Sequence, residues 1–304
     1  MIGKTPARDF QTLERTQPDV ALALKNDVAA LHHAQQRTHG TGALYRRVRS
    51  HLSRRAFNVL VREERSRQNR ARRDELIRIQ WPQEATAAIW AMDPAQLDNC
   101  TYNLVVDIAS RYRFELTPNT ALPARSIATQ LTTLFEKHGA PLILKRDNGS
   151  NLVSSEIDDI LDAFGVIPLN SPLHYPRFNG AIERAQREIK TTASALVQQG
   201  QPLESALHIA PHLLNAKPRP VLEGKTAAAV FLPARSHFQQ QFTMGKRREI
   251  KNSIEENAAC IRDRMKTCGH HAHAAAWRQA VQNELVELGF ITVFQPKTVS
   301  PHFP

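Results

Sequence analysis

The sequence predicts an α/β fold in which a mixed five-stranded sheet flanked by helices follows a basic helical N-terminal region and precedes a helical C-terminal region. Short β-rich runs begin at Ile89, directly after an arginine-rich segment. Apolar stripes at helical spacing follow these runs. The order is three strands and then alternating helices and strands, which combines a meander with crossover connections. Such an order indicates a sheet covered by helices.

The N-terminal region, residues 1–80, is predicted to be helical and basic. Residues 44–73 contain eleven arginines and no proline. Within this stretch Ser53 is a suitable N-cap residue. It precedes an apolar stripe at helical spacing, formed by Ala56, Phe57, Leu60 and Val61. The opposite face of this helix is rich in arginine.

The central region, residues 88–200, supplies the sheet. The five predicted strands are the runs IWAM, YNLVVDI, FELT, LILKRD and VIPL. Helices are predicted from Pro123 to Gly139, from Ser154 to Gly165, and from about Ala181 to Val197. Residues 201–304 are mainly helical and are interrupted by PRPVLEGKT. The sequence therefore predicts three regions, with boundaries at 1–80, 88–200 and 201–304.

Composition favours a polyanionic partner. The 304 residues include 40 Lys and Arg against 29 Asp and Glu, a formal charge of +11, which favours nucleic acid over a membrane surface. Three scattered cysteines indicate a reducing compartment. The start MIGKTPARDF lacks the apolar run of a signal peptide, and no apolar stretch has the length of a membrane span. We therefore expect a cytoplasmic protein without a membrane segment.

Three acidic residues occupy the places where α/β folds put their chemistry. Asp93 is expected to close the first strand, Asp147 to close the strand LILKRD, and Glu183 to lie in the first turn of the late helix. Phosphodiester cutting and joining needs charge neutralised on the attacking and leaving oxygens, and two divalent ions held by carboxylates supply this. Asp98 and Asp107 are rivals for the first position.

The late helix presents two faces at 100° per residue. One is apolar and comprises Ile182, Ile189, Ala193 and Leu196. The adjacent sector comprises Glu183, Arg187 and Lys190, which suits a metal ligand flanked by phosphate contacts. The alternative is a solvent-exposed face on which Glu183 and Arg187 form an i,i+4 ion pair.

Three sequence blocks, WAMD, KRDNGSN and NGAIERAQREIK, resemble those of the integrase catalytic core shared by retroviral integrases and bacterial insertion-sequence transposases. Between Asp147 and Glu183 lie 35 residues, the spacing after which this D,D-35-E family is named, and 53 lie between Asp93 and Asp147. The segment LLNAKPRPVLEGKTAAAVF resembles the region after such cores. The resemblance implies a ribonuclease-H-like core.

The resemblance also implies roles for matching residues. Asp93, Asp147 and Glu183 would bind two Mg²⁺ or Mn²⁺ ions, and Arg187 and Lys190 would contact the DNA end. The turn at Asn148 and Gly149 would lie beside the metal, although an ordinary turn after a strand is equally compatible with these residues.

The basic N-terminal helices resemble the helix-turn-helix segments that precede such cores. The residues expected to face DNA are Arg54, Arg55, Asn58 and Arg62. A non-specific basic clamp, or a helix packed on another subunit, are alternatives that the pattern leaves open.

Two weaker patterns are not favoured. Cysteine and histidine are the usual ligands of zinc, and five of them lie close together in the sequence: Cys260, Cys268, His270, His271 and His273. Their spacing fits no paired-ligand motif. Gly224-Lys225-Thr226 lacks the glycine that a P-loop requires five residues before Gly224, where Arg219 stands. An exposed His-rich linker and an ordinary loop are the simpler interpretations.

The sequence therefore predicts a Mg²⁺-dependent transposase or integrase that cleaves DNA ends and transfers strands. The expected partners are double-stranded DNA, as element ends and target, and further copies of the chain on DNA. A bacterial, nucleoid-associated location would follow. The alternatives are a ribonuclease-H-like nuclease without strand transfer and an inactive DNA-binding remnant.

Overall fold

The computed structural model describes residues 8–30, 41–74, 78–172, 176–265 and 269–294. The chain divides into two compact units. The N-terminal unit comprises Met1–Arg78 with Phe294–Pro304, and the second unit comprises Ile79–Val293.

Helices form the N-terminal unit. In the described residues these are α1 (Phe10–Thr16), α2 (Pro18–Ala30), α3 (Thr41–Val48) and α4 (Arg54–Asp74). Their core is apolar and includes Leu13, Leu24, Leu44 and Phe57. The Ser53 hydroxyl accepts a hydrogen bond from the Ala56 N–H at 3.3 Å, which confirms the predicted N-cap of α4. The predicted apolar stripe is buried, so the arginine face is left to solvent.

The second unit is built on a four-stranded mixed sheet. Its strands are β2 (Ile89–Leu97), β3 (Cys100–Asp107), β4 (Ile143–Arg146) and β5 (Ile167–Asn170), in the order β3-β2-β4-β5. β2 pairs antiparallel with β3, and β4 pairs parallel with both β2 and β5. A separate pair joins β1 (Arg78–Gln80) and β6 (Thr292–Phe294). Together with the flanking helices, this sheet confirms the predicted fold class.

The prediction of a strand at FELT is wrong, because the described residues between β3 and the next helix form no regular strand. Two isolated bridges, Val106–Arg113 and Thr101–Asn119, link this part of the chain to β3. The groups that face β3 are the Tyr112 carbonyl and the Phe114 N–H, which bond to Asp107 and Val105.

Side-chain amides bond the backbone groups on the opposite side of this segment. Asn215 Oδ1 accepts from the Arg113 N–H at 2.9 Å and Asn215 Nδ2 donates to the Arg113 carbonyl at 2.7 Å. Gln130 Nε2 donates to the Glu115 carbonyl at 3.2 Å. The segment is thus held without forming a regular strand.

Three helices follow the strands, and four more complete the unit. The first are α5 (Ala124–His138), α6 (Ser155–Ala163) and α7 (Gly180–Gln198). The others are α8 (Leu203–Asn215), α9 (Ala227–Gln241), α10 (Met244–Arg264) and α11 (His270–Glu287). The predicted helices from Pro123, Ser154 and Ala181 are therefore confirmed within a few residues.

An aromatic cluster binds the sheet to the C-terminal helices. Trp90 of β2 is fully buried, and its ring centroid lies 3.9 Å from that of Phe114 and 5.7 Å from that of Phe135. Phe231 of α9 stacks on Tyr112 at 4.4 Å. Large buried aromatic side chains contribute strongly to core stability, so α9 is part of the core of this unit.

Arg247 of α10 is a second link to the sheet and is only 3% exposed. Its guanidinium donates to the carbonyls of Pro141 and Ala140, in the turn before β4, and to the Phe242 carbonyl. Residues 203–293 therefore lie in the same unit as the sheet. No helix in the described ranges is long and apolar enough to span a bilayer.

Candidate active site

The strand register brings Asp93 and Asp147 to neighbouring places. The last parallel pair between β2 and β4 joins Ala91 to Lys145. Asp93 and Asp147 each follow two residues later, and the side chains of a strand repeat their face every two residues. β2 continues beyond Asp93 to Leu97 because its antiparallel pairing with β3 continues. Asp93 therefore lies within the strand, which corrects the expectation that it closes it.

Helix α7 brings Glu183 to the same place. Gln186, three residues after Glu183 on this helix, donates from Nε2 to the Asp93 carbonyl at 2.7 Å, with Asp93 Oδ2 at 3.5 Å. Gln186 is buried, and its Oε1 has no hydrogen-bond partner in the described part of the chain. The sequence interpretation missed Gln186, although its place one turn after Glu183 was a usable signal.

The electrostatics show that the three carboxylates are neighbours. Burial raises the pKa of Asp93 to about 6, against the hydrogen bond from Gln186, which lowers it. Asp147 and Glu183 raise that pKa further, and Lys190 lowers it. Two nearby carboxylates disfavour the charged form of a third. Asp93, Asp147, Glu183 and Lys190 therefore share one electrostatic environment.

The rival acids lie elsewhere in the hairpin. Asp107 is completely buried, and its oxygens accept from the N–H of Ala87 at 2.9 Å and of Ser110 at 2.8 Å. Its carboxylate therefore holds a turn. Asp98 lies in the β2–β3 turn with a φ of 50°, and its side chain is exposed. Neither contributes to the raised pKa of Asp93.

The outer face of α7 remains available to a ligand. Glu183 and Arg187 are exposed, and Lys190 is partly exposed. Within the described residues no ion pair joins Glu183 to Arg187, so the i,i+4 pair of the alternative interpretation does not form. Ile182, Ile189 and Ala193 are buried as predicted, while Leu196 is partly buried.

Lys145 anchors the segment that leads into α7. It is 5% exposed, and its Nζ donates to the Phe178 carbonyl at 2.8 Å and lies 3.9 Å from the centroid of the Phe178 ring. Burial lowers the pKa of Lys145 to about 7. The sequence interpretation also missed this residue, because a lysine in a strand gives no indication that it is buried.

Asn148 ties the turn after Asp147 to the end of β5. Its Nδ2 donates to the Ser171 carbonyl at 2.7 Å, and its N–H donates to Asp147 Oδ1 at 2.8 Å. Ser171 Oγ in turn donates to Asn179 Oδ1, directly before α7, at 2.9 Å. These bonds connect the segments that carry Asp147 and Glu183.

The donor chemistry fits a hard divalent cation, since carboxylates that repel one another are the ligands that Mg²⁺ and Mn²⁺ take. In the described ranges, however, no three His, Cys, Asp or Glu side chains are grouped closely enough to hold an ion. Asp147 and Glu183 are exposed. Their side chains are therefore open to solvent.

The predicted DNA-facing residues of α4 lie in the N-terminal unit. Arg54, Arg55, Asn58 and Arg62 are all exposed. The Arg54 guanidinium lies 4.5 Å from the centroid of the Tyr45 ring, which fixes one of these charges over α3. The four residues form the exposed polar face of α4, whose opposite, apolar face is buried.

The His- and Cys-bearing segment shows no metal group in the residues that the structure describes. Cys260 is exposed on α10. Cys268 and the side chain of His270 lie outside the described residues.

Sequence and structure comparisons give two similarities. No protein-family model matches the chain. It is 23% identical over 209 residues to the Caenorhabditis elegans protein named "Uncharacterized protein K02A2.6". The matched region covers 61% of this chain and 16% of the length of that protein. The crystal structure of the catalytic core domain of BIV integrase is 23% identical with a TM-score of 0.45, covering 51% of this chain and 99% of that domain.

Proposed function

We propose that this chain is a metal-dependent DNA phosphoryl transferase, a D,D-35-E transposase or integrase of the insertion-sequence type that cleaves DNA ends and joins them to target DNA. One observation carries the proposal. The β2–β4 register sets Asp93 and Asp147 side by side, and Gln186 fixes the Glu183 helix onto Asp93.

Asp93, Asp147 and Glu183 would hold two Mg²⁺ or Mn²⁺ ions. Bound there, the ions would neutralise charge on the attacking and leaving oxygens of an in-line displacement. Burial is the main cause of the raised pKa of Asp93, and a cation would offset the repulsion from Asp147 and Glu183 that adds to it. Gln186 keeps the Asp93 backbone in place, so this carboxylate is positioned before an ion arrives.

The remaining residues bind and orient DNA. Arg187 and Lys190 follow Glu183 on one side of α7, where their charges can contact phosphates next to the scissile bond. Lys145 and Asn148 hold the segments on which Glu183 and Asp147 lie. Positioning of this kind supplies much of the rate in phosphoryl transfer, because a bound nucleophile needs no further ordering.

Helix α4 supplies the second DNA surface in this proposal. Its exposed residues Arg54, Arg55, Asn58 and Arg62 would contact the ends of the element, while the core acts on ends and target. Since one molecule has one such site and two ends must be joined, the chain would act as a homo-oligomer on DNA. A bacterial cytoplasmic, nucleoid-associated location fits this role.

Substitution of Glu183 tests the proposal at its central residue. Glu183→Gln should bind DNA normally and lose cleavage and strand transfer by about 10³-fold, equivalent to several kcal/mol of metal-derived stabilisation. The fold should persist because Glu183 is exposed. Glu204→Gln, which neutralises an exposed acid on α8, is the matched control. Arg187→Ala should instead weaken binding and leave metal affinity nearly intact.

The assay uses labelled DNA ends with Mg²⁺, and it separates the alternatives. Cleavage without joining by the parent chain would favour a nuclease lacking strand transfer, and binding without either reaction would favour an inactive DNA-binding remnant. If Glu183→Gln joins ends as fast as the parent chain, the proposed mechanism is wrong.

A further inference from the structure

Four arginines surround one carboxylate on the side of α7 next to Glu183. We call Arg111, Arg113, Arg184 and Arg219 the arginine cluster. Glu188 Oε2 accepts from Arg113 Nη2 and, at 3.0 Å, from Arg219 Nη2. Arg184 precedes Glu188 by one helical turn on α7 and so lies on the same face. The cluster therefore combines α7, the turn after β3 and the loop after α8.

The cluster is built on a rigid backbone. The side chain of Asn215 holds the backbone of Arg113 through two hydrogen bonds, accepting one from its N–H and donating one to its carbonyl. Arg113 Nη1 in turn donates to the Arg111 carbonyl at 2.7 Å. Arg111 has a φ of 63°, in the left-handed region. A non-glycine residue there costs free energy of about 1 kcal/mol, and such residues concentrate at functional sites.

Positive charge exceeds negative charge in this group. Arg113 is 3% exposed, and burial together with Arg219 lowers its pKa to about 10. Besides Glu188, the other acid that faces Arg111 is Asp107, whose oxygens are already bonded to Ala87 and Ser110. Four guanidinium groups thus face two carboxylates, which leaves an excess of two positive charges.

Two members have unused hydrogen-bonding capacity. In the described part of the chain, the guanidinium groups of Arg111 and Arg184 make no hydrogen bond or ion pair. Burial lowers the pKa of Arg111, and Arg184 is the charged neighbour that lowers it most. Arg184 is exposed and Arg111 partly so, so solvent and solutes can reach both. The buried Nε atoms of Arg113 and Arg219 are also without a partner in the described residues.

We propose that Arg111 and Arg184 bind a phosphate group of the DNA strand, with Arg113 and Arg219 held by Glu188 behind them. Planar guanidinium groups bind phosphate through paired hydrogen bonds. A phosphate would neutralise the excess charge and occupy the free donors. The assignment to DNA rests on the proposed function, since a free polyphosphate has the same chemistry. Arg187 and Lys190 are the DNA contacts already proposed for α7. The new site would add a second contact on the face of the same helix that carries Arg184.

The test is binding by the full chain without divalent metal. The variant is Arg111→Gln/Arg184→Gln, and the matched control is Arg248→Gln/Arg264→Gln, which removes two exposed charges from α10. Fluorescence anisotropy measures affinity for a labelled DNA duplex across salt concentrations, and tripolyphosphate serves as the competing free anion. The cluster variant should lose about tenfold or more in affinity, and its slope of log affinity against log salt should fall by about 1, since one phosphate contact is lost. The control should change little.

Equal affinities and slopes for the two variants would overturn the proposal. Loss of tripolyphosphate binding with unchanged DNA binding would overturn the assignment to DNA. Circular dichroism melting checks the fold, and Arg111→Lys/Arg184→Lys should keep most of the salt slope because it keeps the charge. Since no metal is present, the result is independent of cleavage. A chain that passes this test yet cannot cut DNA would refute the proposed function alone.

Discussion

Two groups of arginines, one in each unit, serve opposite purposes. In the N-terminal unit, Arg54, Arg55 and Arg62 extend from α4 into solvent. In the second unit, Arg113, Arg146 and Arg247 are each 3% exposed and donate to carbonyls or carboxylates. A buried guanidinium must be paired because desolvation is costly, whereas an exposed one remains available to a phosphate. The net charge of +11 therefore overstates the charge that a nucleic acid can contact.

The largest expected effect concerns Arg247. Arg247→Met should lower the free energy of unfolding by about 3 kcal/mol, because the Pro141 carbonyl loses its buried donor and the Ala140 carbonyl keeps only Gln239. The matched control, Arg248→Met, changes the next and exposed residue of α10 and should shift stability by less than about 0.5 kcal/mol. Urea unfolding measures both. Equal stabilities would show that Arg247 is no more structural than a surface arginine.

Replacing the exposed arginines of α4 should change DNA binding and leave stability nearly unchanged. Replacing Arg54, Arg55 and Arg62 together with Gln should weaken DNA affinity by about 30-fold, or about 2 kcal/mol, and reduce the salt slope by about 3. Stability should change little, since these side chains are exposed. Arg15→Gln, on α1, is the charge control. Unchanged affinity of the triple variant in a salt titration would favour the interpretation of α4 as a subunit contact.

The smallest effect concerns Glu115, a partly buried acid of the second unit. Glu115 accepts from His138 Nε2 at 2.9 Å and Lys137 Nζ at 2.7 Å. Arg235 Nη1 lies 2.9 Å from His138 Nδ1. Because arginine can only donate, Nδ1 must accept and Nε2 must carry the proton given to Glu115. Burial acts to raise the pKa of Glu115, but the bonds from His138 and Lys137 lower it overall.

A lowered carboxyl pKa stabilises the fold above the unfolded pKa of about 4.3, and this contribution is lost as the pH falls towards the folded value. Glu115→Gln should therefore cost about 1 kcal/mol at pH 7 and less as the pH falls below 4. Urea unfolding at pH 7, 5 and 3.5 measures this, with Glu136→Gln, an exposed acid of α5, as the control. A loss that is independent of pH would assign the effect to packing.

Local sequence patterns determined the elements of the fold. The cap at Ser53, the buried stripe of α4, four of the five predicted strands and the helix that begins near Ala181 all depend on residues close together in the chain. Spacing and the three sequence blocks singled out Asp93, Asp147 and Glu183, and the strand register then explains why the first two are neighbours. Periodicity suffices for such features because each is fixed by a repeat of two or 3.6 residues.

Tertiary structure alone decided how the remaining polar groups are used. Gln186 reaches Asp93 across 93 residues of sequence, and Asn215 reaches Arg113 across 102, where it bonds the backbone directly before the FELT segment. The arginine cluster forms from three separate segments. No local pattern distinguishes a buried, paired arginine from an exposed one, because burial depends on which distant side chains and carbonyls the fold brings within hydrogen-bonding distance.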